Sequence, residues 1–126
     1  MTSKFATAIN CMDGRVQVPV IEYMRKTYHA DYVDMITEAG PNKILAENSD
    51  KAKVESIKAR ARISVERHGS RLIAVVGHHD CAGNPANAET QLRHIRAAMK
   101  TVDSWSLKVE VTGIWVDANW STHAVQ

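Results

Sequence analysis

Residues 71–77 read Arg-Leu-Ile-Ala-Val-Val-Gly, and the chain continues with His78-His79-Asp80-Cys81. An almost wholly apolar run of this length is typical of a strand in a parallel sheet, where helices cover both faces. The run therefore predicts a central strand, with imidazole, carboxylate and thiol groups at the point where that strand ends.

The segments on either side alternate between strand patterns and helix patterns. Strands are predicted at 5–10, 31–37, 71–77 and 108–117, and helices at about 18–28, from 48–50 to about 68, and after Asn84-Pro85. This β-α-β-α-β-α-β order predicts an α/β fold with a mostly parallel sheet flanked by helices. We expect one domain over residues 1–126. In such sheets, ligands bind at the carboxyl ends of the strands.

Composition narrows the class of protein. The 126 residues are 44% hydrophobic and 24% charged, which excludes a disordered chain, and the net charge of +2 is too small to indicate a nucleic-acid partner. No apolar run approaches the length of about 20 residues that a membrane span needs, and the N-terminus does not resemble a signal peptide. We therefore expect a cytoplasmic protein with no membrane partner, in which two cysteines serve a metal or catalytic role.

Two reactive clusters follow the predicted strands. Cys11 comes where the first strand stops, and His78 and Cys81 come where the third stops. Two thiolates and one imidazole suit Zn²⁺, and three protein ligands with an open fourth position are typical of a catalytic zinc site. Adjacent residues of an extended segment point to opposite sides, so we expect His78 rather than His79 to face the metal.

The motifs Cys11-x-Asp13-x-Arg15 and His78-x-x-Cys81 together resemble the β-class carbonic anhydrases, over nearly the whole chain. The resemblance implies that fold, a Zn²⁺ cofactor held by Cys11, His78 and Cys81, and a catalytic pair formed by Asp13 and Arg15. It also implies a lyase that hydrates carbon dioxide reversibly to bicarbonate by means of zinc-bound hydroxide. The family forms dimers, so we expect a homodimer or higher homo-oligomer.

The proposed pair is chemically intelligible. An ionised Asp13 can accept a hydrogen bond from the hydroxide and orient it toward a small electrophilic carbon. A guanidinium at Arg15 binds a carboxylate through two parallel hydrogen bonds and keeps it ionised, which lysine does not do equally well. In the family, the aspartate can also bind the zinc and close the site, so the resemblance implies an inactive form in which Asp13 is a ligand.

Several alternatives stay open at this point. Family members commonly have Arg-Asn-Ala-Gly where this chain has Thr37-Glu38-Ala39-Gly40, and glycine where it has Ala82. The same zinc site could therefore hydrolyse carbonyl sulfide or carbon disulfide, or the metal could serve a non-catalytic protein. A thiol redox protein would instead carry no metal and would join Cys11 to Cys81 in a disulfide.

Two further features have more than one interpretation. Asp80 is expected either to accept a hydrogen bond from His78 or to cap the turn. Trp105, Trp115 and Trp120 lie in the last quarter of the chain, where they indicate either packing of the core or a subunit interface.

Overall fold

The computed structural model describes residues 3–126; Met1 and Thr2, the start of the predicted domain, lie outside the described residues. The elements are β1 (Phe5–Cys11), a 3₁₀ turn (Gly14–Val16), α1 (Gln17–Tyr28), β2 (Tyr32–Glu38), α2 (Pro41–Glu47), α3 (Lys51–His68), β3 (Leu72–His78), α4 (Ala88–Asp103), β4 (Glu110–Val116) and β5 (Thr122–Val125). The sheet order within this range is β2-β1-β3-β4-β5. The α/β class and the central place of β3 are therefore confirmed.

The first four strands are parallel, and β5 runs antiparallel to β4. β1 pairs with β2 over its whole length and β3 does the same with β4. Between β1 and β3, in contrast, only three residue pairs are in register, the last being Ile9 with Val75. The carboxyl-terminal residues of β1 and β3 therefore extend past the last pair of this ladder and are not paired with each other.

The burial of β3 explains its continuous apolar run. Ala74 packs into a cluster with Val20 of α1, whereas Val75 packs into a second cluster with Ile57 of α3. All residues of β3 are buried because helices cover both faces of the sheet. Val20 of α1 and Ile57 of α3 are buried against the sheet. No helix within residues 3–126 is both long and apolar enough to span a bilayer.

Two elements were not predicted. The sequence predicts no helix between the second strand and Asn48, but α2 occupies 41–47, with Pro41 in its first turn and Asn48 ending it at φ +50°. α3 then begins at Lys51, capped by the Asp50 side chain, which accepts from the backbone of Lys53. β5 adds an antiparallel edge strand, so the prediction that 108–117 holds the last strand was wrong. A helix of seven residues and a strand of four are too short to show a clear period.

A buried hydroxyl cluster ties β1 to α3. The Oγ1 atom of Thr7 lies 2.6 Å from Oγ of Ser64 and 2.7 Å from Oγ of Ser70, and Ser64 donates to Asp34 at 2.6 Å. Replacing Thr7 with valine keeps the shape and removes the hydroxyl, so two buried serines each lose a partner. We expect Thr7→Val to lower the free energy of unfolding by about 1–3 kcal/mol in urea denaturation. Thr112→Val, at a partly exposed position of β4, is the matched control; equal effects of the two variants would contradict this reading.

Candidate metal centre

The sheet brings the three residues predicted as metal ligands together. Cys11 ends β1 and His78 ends the adjacent parallel strand β3, so both lie at the same edge of the sheet. Cys81 returns to this edge in the loop after β3. The two sulfurs lie 3.8 Å apart, and the ligand atoms of all three residues lie within 4.8 Å of one another. All three side chains are buried.

The orientation of His78 fits a metal ligand. Its Nδ1 atom lies 2.7 Å from the carbonyl oxygen of His79, so in the neutral ring Nδ1 carries the proton and Nε2 is left with its lone pair. Nε2 is buried and has no hydrogen-bond partner among the described residues. A buried unpaired nitrogen costs free energy. The side chain of His79 is exposed, which agrees with the predicted alternation.

The two thiols form a coupled pair. The hydrogen bond with Cys81 lowers the pKa of the Cys11 thiol to about 4, although burial opposes this change. The same hydrogen bond, together with burial, raises the pKa of Cys81. Burial lowers the pKa of His78, but the neighbouring Cys11 sulfur and the His79 carbonyl outweigh it, and the net pKa is raised. Cys11 therefore carries the first negative charge of the cluster, and a divalent cation would displace the proton that remains on the sulfurs.

Asp13 and Arg15 form the fork that the sequence predicts. Nε of Arg15 donates to Oδ1 of Asp13 at 3.1 Å, and Nη2 donates to Oδ2 at 2.7 Å. The backbone N–H of Arg15 also donates to Oδ1, at 2.9 Å. The hydrogen bonds from Arg15 hold the pKa of Asp13 at about 2. Asp13 is therefore a carboxylate throughout the neutral range, with both oxygens fixed by one residue.

Arg15 makes further contacts that the sequence did not predict. Nη1 donates to Oδ2 of Asp80 at 3.3 Å, and Nη2 donates to the Asp80 carbonyl at 3.2 Å. The guanidinium carbon lies 4.5 Å from the ring centroid of Trp120. Because the His79 carbonyl occupies Nδ1 of His78, the first of the two interpretations of Asp80, that it accepts a hydrogen bond from His78, was wrong. The contact between Arg15 and Trp120 could have been predicted from one feature of the sequence. Trp120 follows β4 closely, and β4 ends at the same edge of the sheet as β1.

Two amide side chains that sequence reasoning missed build the turn after β1. Asn10 is buried; its Oδ1 accepts from the backbone N–H of Cys11 at 2.9 Å, and its Nδ2 donates to the carbonyl of Val16 at 3.1 Å. Gln17 donates to the carbonyls of Cys11 and Asp13 at 2.7 and 2.9 Å. These bonds satisfy backbone groups that the end of the strand leaves unpaired. They fix the segment that carries Cys11, Asp13 and Arg15.

The loop that carries Cys81 packs directly on the turn after β2. An ideal Cβ placed on Gly83 would lie 2.3 Å from the carbonyl carbon of Ala39, and one on Gly40 would lie 2.7 Å from that of Gly83. Gly40 also adopts φ +64°, which favours glycine. The two backbones therefore touch without side chains between them. Close contact of this kind sets the distance between Cys81 and the rest of the cluster.

A family model described as "Putative carbonic anhydrase" matches residues 1–126. No curated protein sequence matches the chain significantly. Among solved structures, β-carbonic anhydrase isoform I of the protozoan Trichomonas vaginalis aligns with a TM-score of 0.66 at 14% identity, over 98% of this chain and 84% of that chain.

Two further structures align less closely. A carbonic anhydrase from Glaciozyma antarctica gives a TM-score of 0.58 at 14% identity, over 100% of this chain and 85% of that one. One of two tetrameric β-carbonic anhydrases from the ascomycete Sordaria macrospora gives 0.56 at 14% identity, over 99% and 82%. Identity this low shows the fold alone, whereas the family model spans the whole sequence. The chain therefore belongs to the carbonic anhydrase family that this model describes, and it has the fold of the β-carbonic anhydrases.

Proposed function

We propose that this protein is a zinc enzyme that hydrates carbon dioxide reversibly to bicarbonate, with Cys11, His78 and Cys81 as the zinc ligands. One observation carries the proposal: a buried imidazole nitrogen, without a hydrogen-bond partner within residues 3–126, shares a cluster with two buried sulfurs. Two thiolates and one imidazole form a donor set that suits zinc, and three protein ligands are the number that catalytic zinc sites use. Membership of the carbonic anhydrase family supports the choice of substrate.

The ligands are prepared for a cation by their neighbours. A bound zinc ion supplies the Lewis acidity that makes hydroxide available from water near neutral pH. The His79 carbonyl holds the proton of His78 at Nδ1, so the Nε2 lone pair is directed to the cluster. Burial of all three side chains excludes competing solvent from the sulfurs.

Asp13 and Arg15 would act on the reacting groups. An ionised Asp13 offers acceptor lone pairs only, so it can take a hydrogen bond from the attacking hydroxyl and direct that oxygen toward the carbon of the substrate. The negative charge of Asp13 is close enough to raise the pKa of His78. Arg15 fixes both oxygens of the Asp13 carboxylate, so this carboxylate does not need to reorient during the reaction.

The proposal includes a homodimer or a higher homo-oligomer in the cytoplasm. Met12 and Val18, which flank the candidate centre, are 66% and 60% exposed, so apolar surface lies beside it. A second copy would cover this surface, and the Sordaria macrospora relatives are described as tetrameric. Light scattering coupled to gel filtration gives the number of chains directly.

Stopped-flow measurement of carbon dioxide hydration, with zinc content determined on the same sample, tests the proposed function. We expect about one zinc per chain and hydration well above background at pH 7 to 9, with Asp13→Asn retaining zinc and losing most of the rate. Stoichiometric zinc without hydration would contradict carbon dioxide as the substrate and would direct the search to carbonyl sulfide and carbon disulfide. A metal-free protein with two titratable thiols would contradict the zinc site itself.

Replacing Arg15 with lysine keeps the positive charge and removes the fork. A lysine ammonium cannot bind both oxygens of Asp13 in one plane, so the carboxylate loses its fixed orientation. We expect Arg15→Lys to lower kcat for hydration by about 10- to 100-fold. The exposed Arg25→Lys on α1 is the matched control and should leave kcat unchanged. An Arg15→Lys variant with the rate of the unmodified protein would show that the fork is dispensable.

A further inference from the structure

We propose that Trp120 is a positioning residue that acts through Arg15 and thereby keeps the two ligand-bearing loops closed over the sulfurs. The inference rests on the proposed function for its catalytic meaning, but not for its test. Trp120 lies outside the motif residues, in the turn between β4 and β5. Its indole ring stacks on the guanidinium of Arg15.

Arg15 joins the two loops. Its Nε and Nη2 atoms bind the Asp13 carboxylate in the loop after β1, and its Nη1 and Nη2 atoms bind the carboxylate and carbonyl of Asp80 in the loop after β3. Cys11 precedes the first of these loops, and Cys81 directly follows Asp80. A single guanidinium therefore connects the segments that carry the two sulfurs.

Trp120 covers one of the two faces of this guanidinium, which hydrogen bonds cannot hold. The N–H groups of arginine lie in the plane of the group, so its faces are free to stack on an aromatic ring. The ring centroid lies 4.5 Å from the guanidinium carbon and 6.4 Å from the centroid of the His78 imidazole. The indole thus restricts movement of the Arg15 guanidinium perpendicular to its own plane. The hydrogen bonds to Asp13 and Asp80 restrict its movement within that plane.

The turn that carries Trp120 is built to hold the ring in place. The backbone N–H of Trp120 donates to the carbonyl of Asp117 at 2.9 Å. Oδ1 of Asp117 accepts from the backbone of Asn119 at 2.8 Å and from that of Ser121 at 3.0 Å. Trp120 itself has φ +60°, an unfavourable region for a bulky residue. The turn therefore maintains a strained backbone that places the indole on Arg15.

The accessibility of the two thiols reports on this arrangement. Cys11 and Cys81 are each only 4% exposed, so a thiol reagent reaches them only when the loops open. Loss of the stacking contact removes part of the free energy that holds Arg15, and hence both loops, in the closed position. The thiols should then react faster, whether or not a metal is bound, because the reagent must pass the same loops.

The experiment measures the rate at which 5,5′-dithiobis(2-nitrobenzoate) modifies the thiols of the purified full chain. We expect the thiols of Trp120→Leu to react about three- to fivefold faster than those of the unmodified protein. The free energy of a cation–π contact at a partly exposed site corresponds to a ratio of rates of this size. Trp120→Phe keeps an aromatic face and should restore the rate to within about twofold. Trp105→Leu, which alters packing against the other core cluster, is the matched control and should leave the rate unchanged.

A double-mutant cycle tests whether Trp120 acts through Arg15. In an Arg15→Gln background, Trp120→Leu should produce no further increase in the rate, because its partner is already absent. The inference is overturned if Trp120→Leu alone leaves the rate unchanged, if Trp105→Leu raises it equally, or if the Trp120→Leu effect persists in full in Arg15→Gln. Zinc content and hydration of the unmodified protein decide the proposed function separately. If the unmodified protein contains no zinc and does not hydrate carbon dioxide, the proposed zinc enzyme is refuted. The expected thiol rates would still support the positioning role of Trp120.

Discussion

The His78→Ala variant should fail to bind zinc, whereas His79→Ala should bind it. Nε2 of His78 is buried beside the two sulfurs without a hydrogen-bond partner among the described residues, and the neighbouring His79 ring is exposed. Removing a supporting group of a metal site costs about 10- to 100-fold in affinity, so loss of a ligand itself should cost more than about 100-fold. We expect hydration in His78→Ala to fall to the uncatalysed rate. Competition with a chromogenic chelator gives both affinities.

The two histidines form a matched pair because they are adjacent in the chain and chemically identical. Both variants should show the circular dichroism of the unmodified protein, since His78→Ala also removes a buried nitrogen that has no hydrogen-bond partner in the described part of the chain. Tight zinc binding by His78→Ala would contradict the proposed ligand set. Failure of His79→Ala to bind zinc would instead indicate that the exposed His79 ring is the zinc ligand.

The second large effect should come from Gly83→Ala, which we expect to lower the free energy of unfolding by about 3 kcal/mol. An ideal Cβ at this position would lie 2.3 and 2.5 Å from the carbonyl carbon and oxygen of Ala39, and 2.7 Å from the nitrogen of Gly40. All three are backbone atoms, so no change of rotamer relieves the overlap. The loop must move away from the β2–α2 turn, and Cys81 must move with it.

Gly14→Ala is the control for this substitution. An ideal Cβ on Gly14 meets no atom within 4 Å in the described structure, and we expect a change of less than about 0.5 kcal/mol. Urea denaturation of the two variants gives the comparison. Equal stability of Gly83→Ala and Gly14→Ala would show that the Cys81 loop tolerates displacement and does not depend on the contact with Ala39.

The features that the sequence predicted are those that follow from local patterns. Residues 71–77 are apolar throughout because two helical layers cover β3, and this produces a recognisable run. The separation of His78 from His79 follows from strand geometry alone. Cys11, Asp13 and Arg15 lie close together in the chain, and the resemblance to the β-class carbonic anhydrases implied the pairing of Arg15 with Asp13.

The features that escaped prediction depend on contacts between distant segments. Trp120 and Arg15 are more than one hundred positions apart, and the β1-β3-β4-β5 strand order brings them together. Asp80 lies within a predicted motif, but its partner depends on how far the loop after β1 folds across the sheet edge. The helix α2 is held by packing against α4 rather than by a strong period of its own.

The short shared ladder between β1 and β3 has a consequence for the protein as a whole. Only three residue pairs join these strands, while each pairs fully with its outer neighbour. Cys11 belongs to one half of the sheet, and His78 and Cys81 belong to the other. A cation bound by all three would act as a cross-link between the halves, so the melting temperature should rise with the concentration of free zinc.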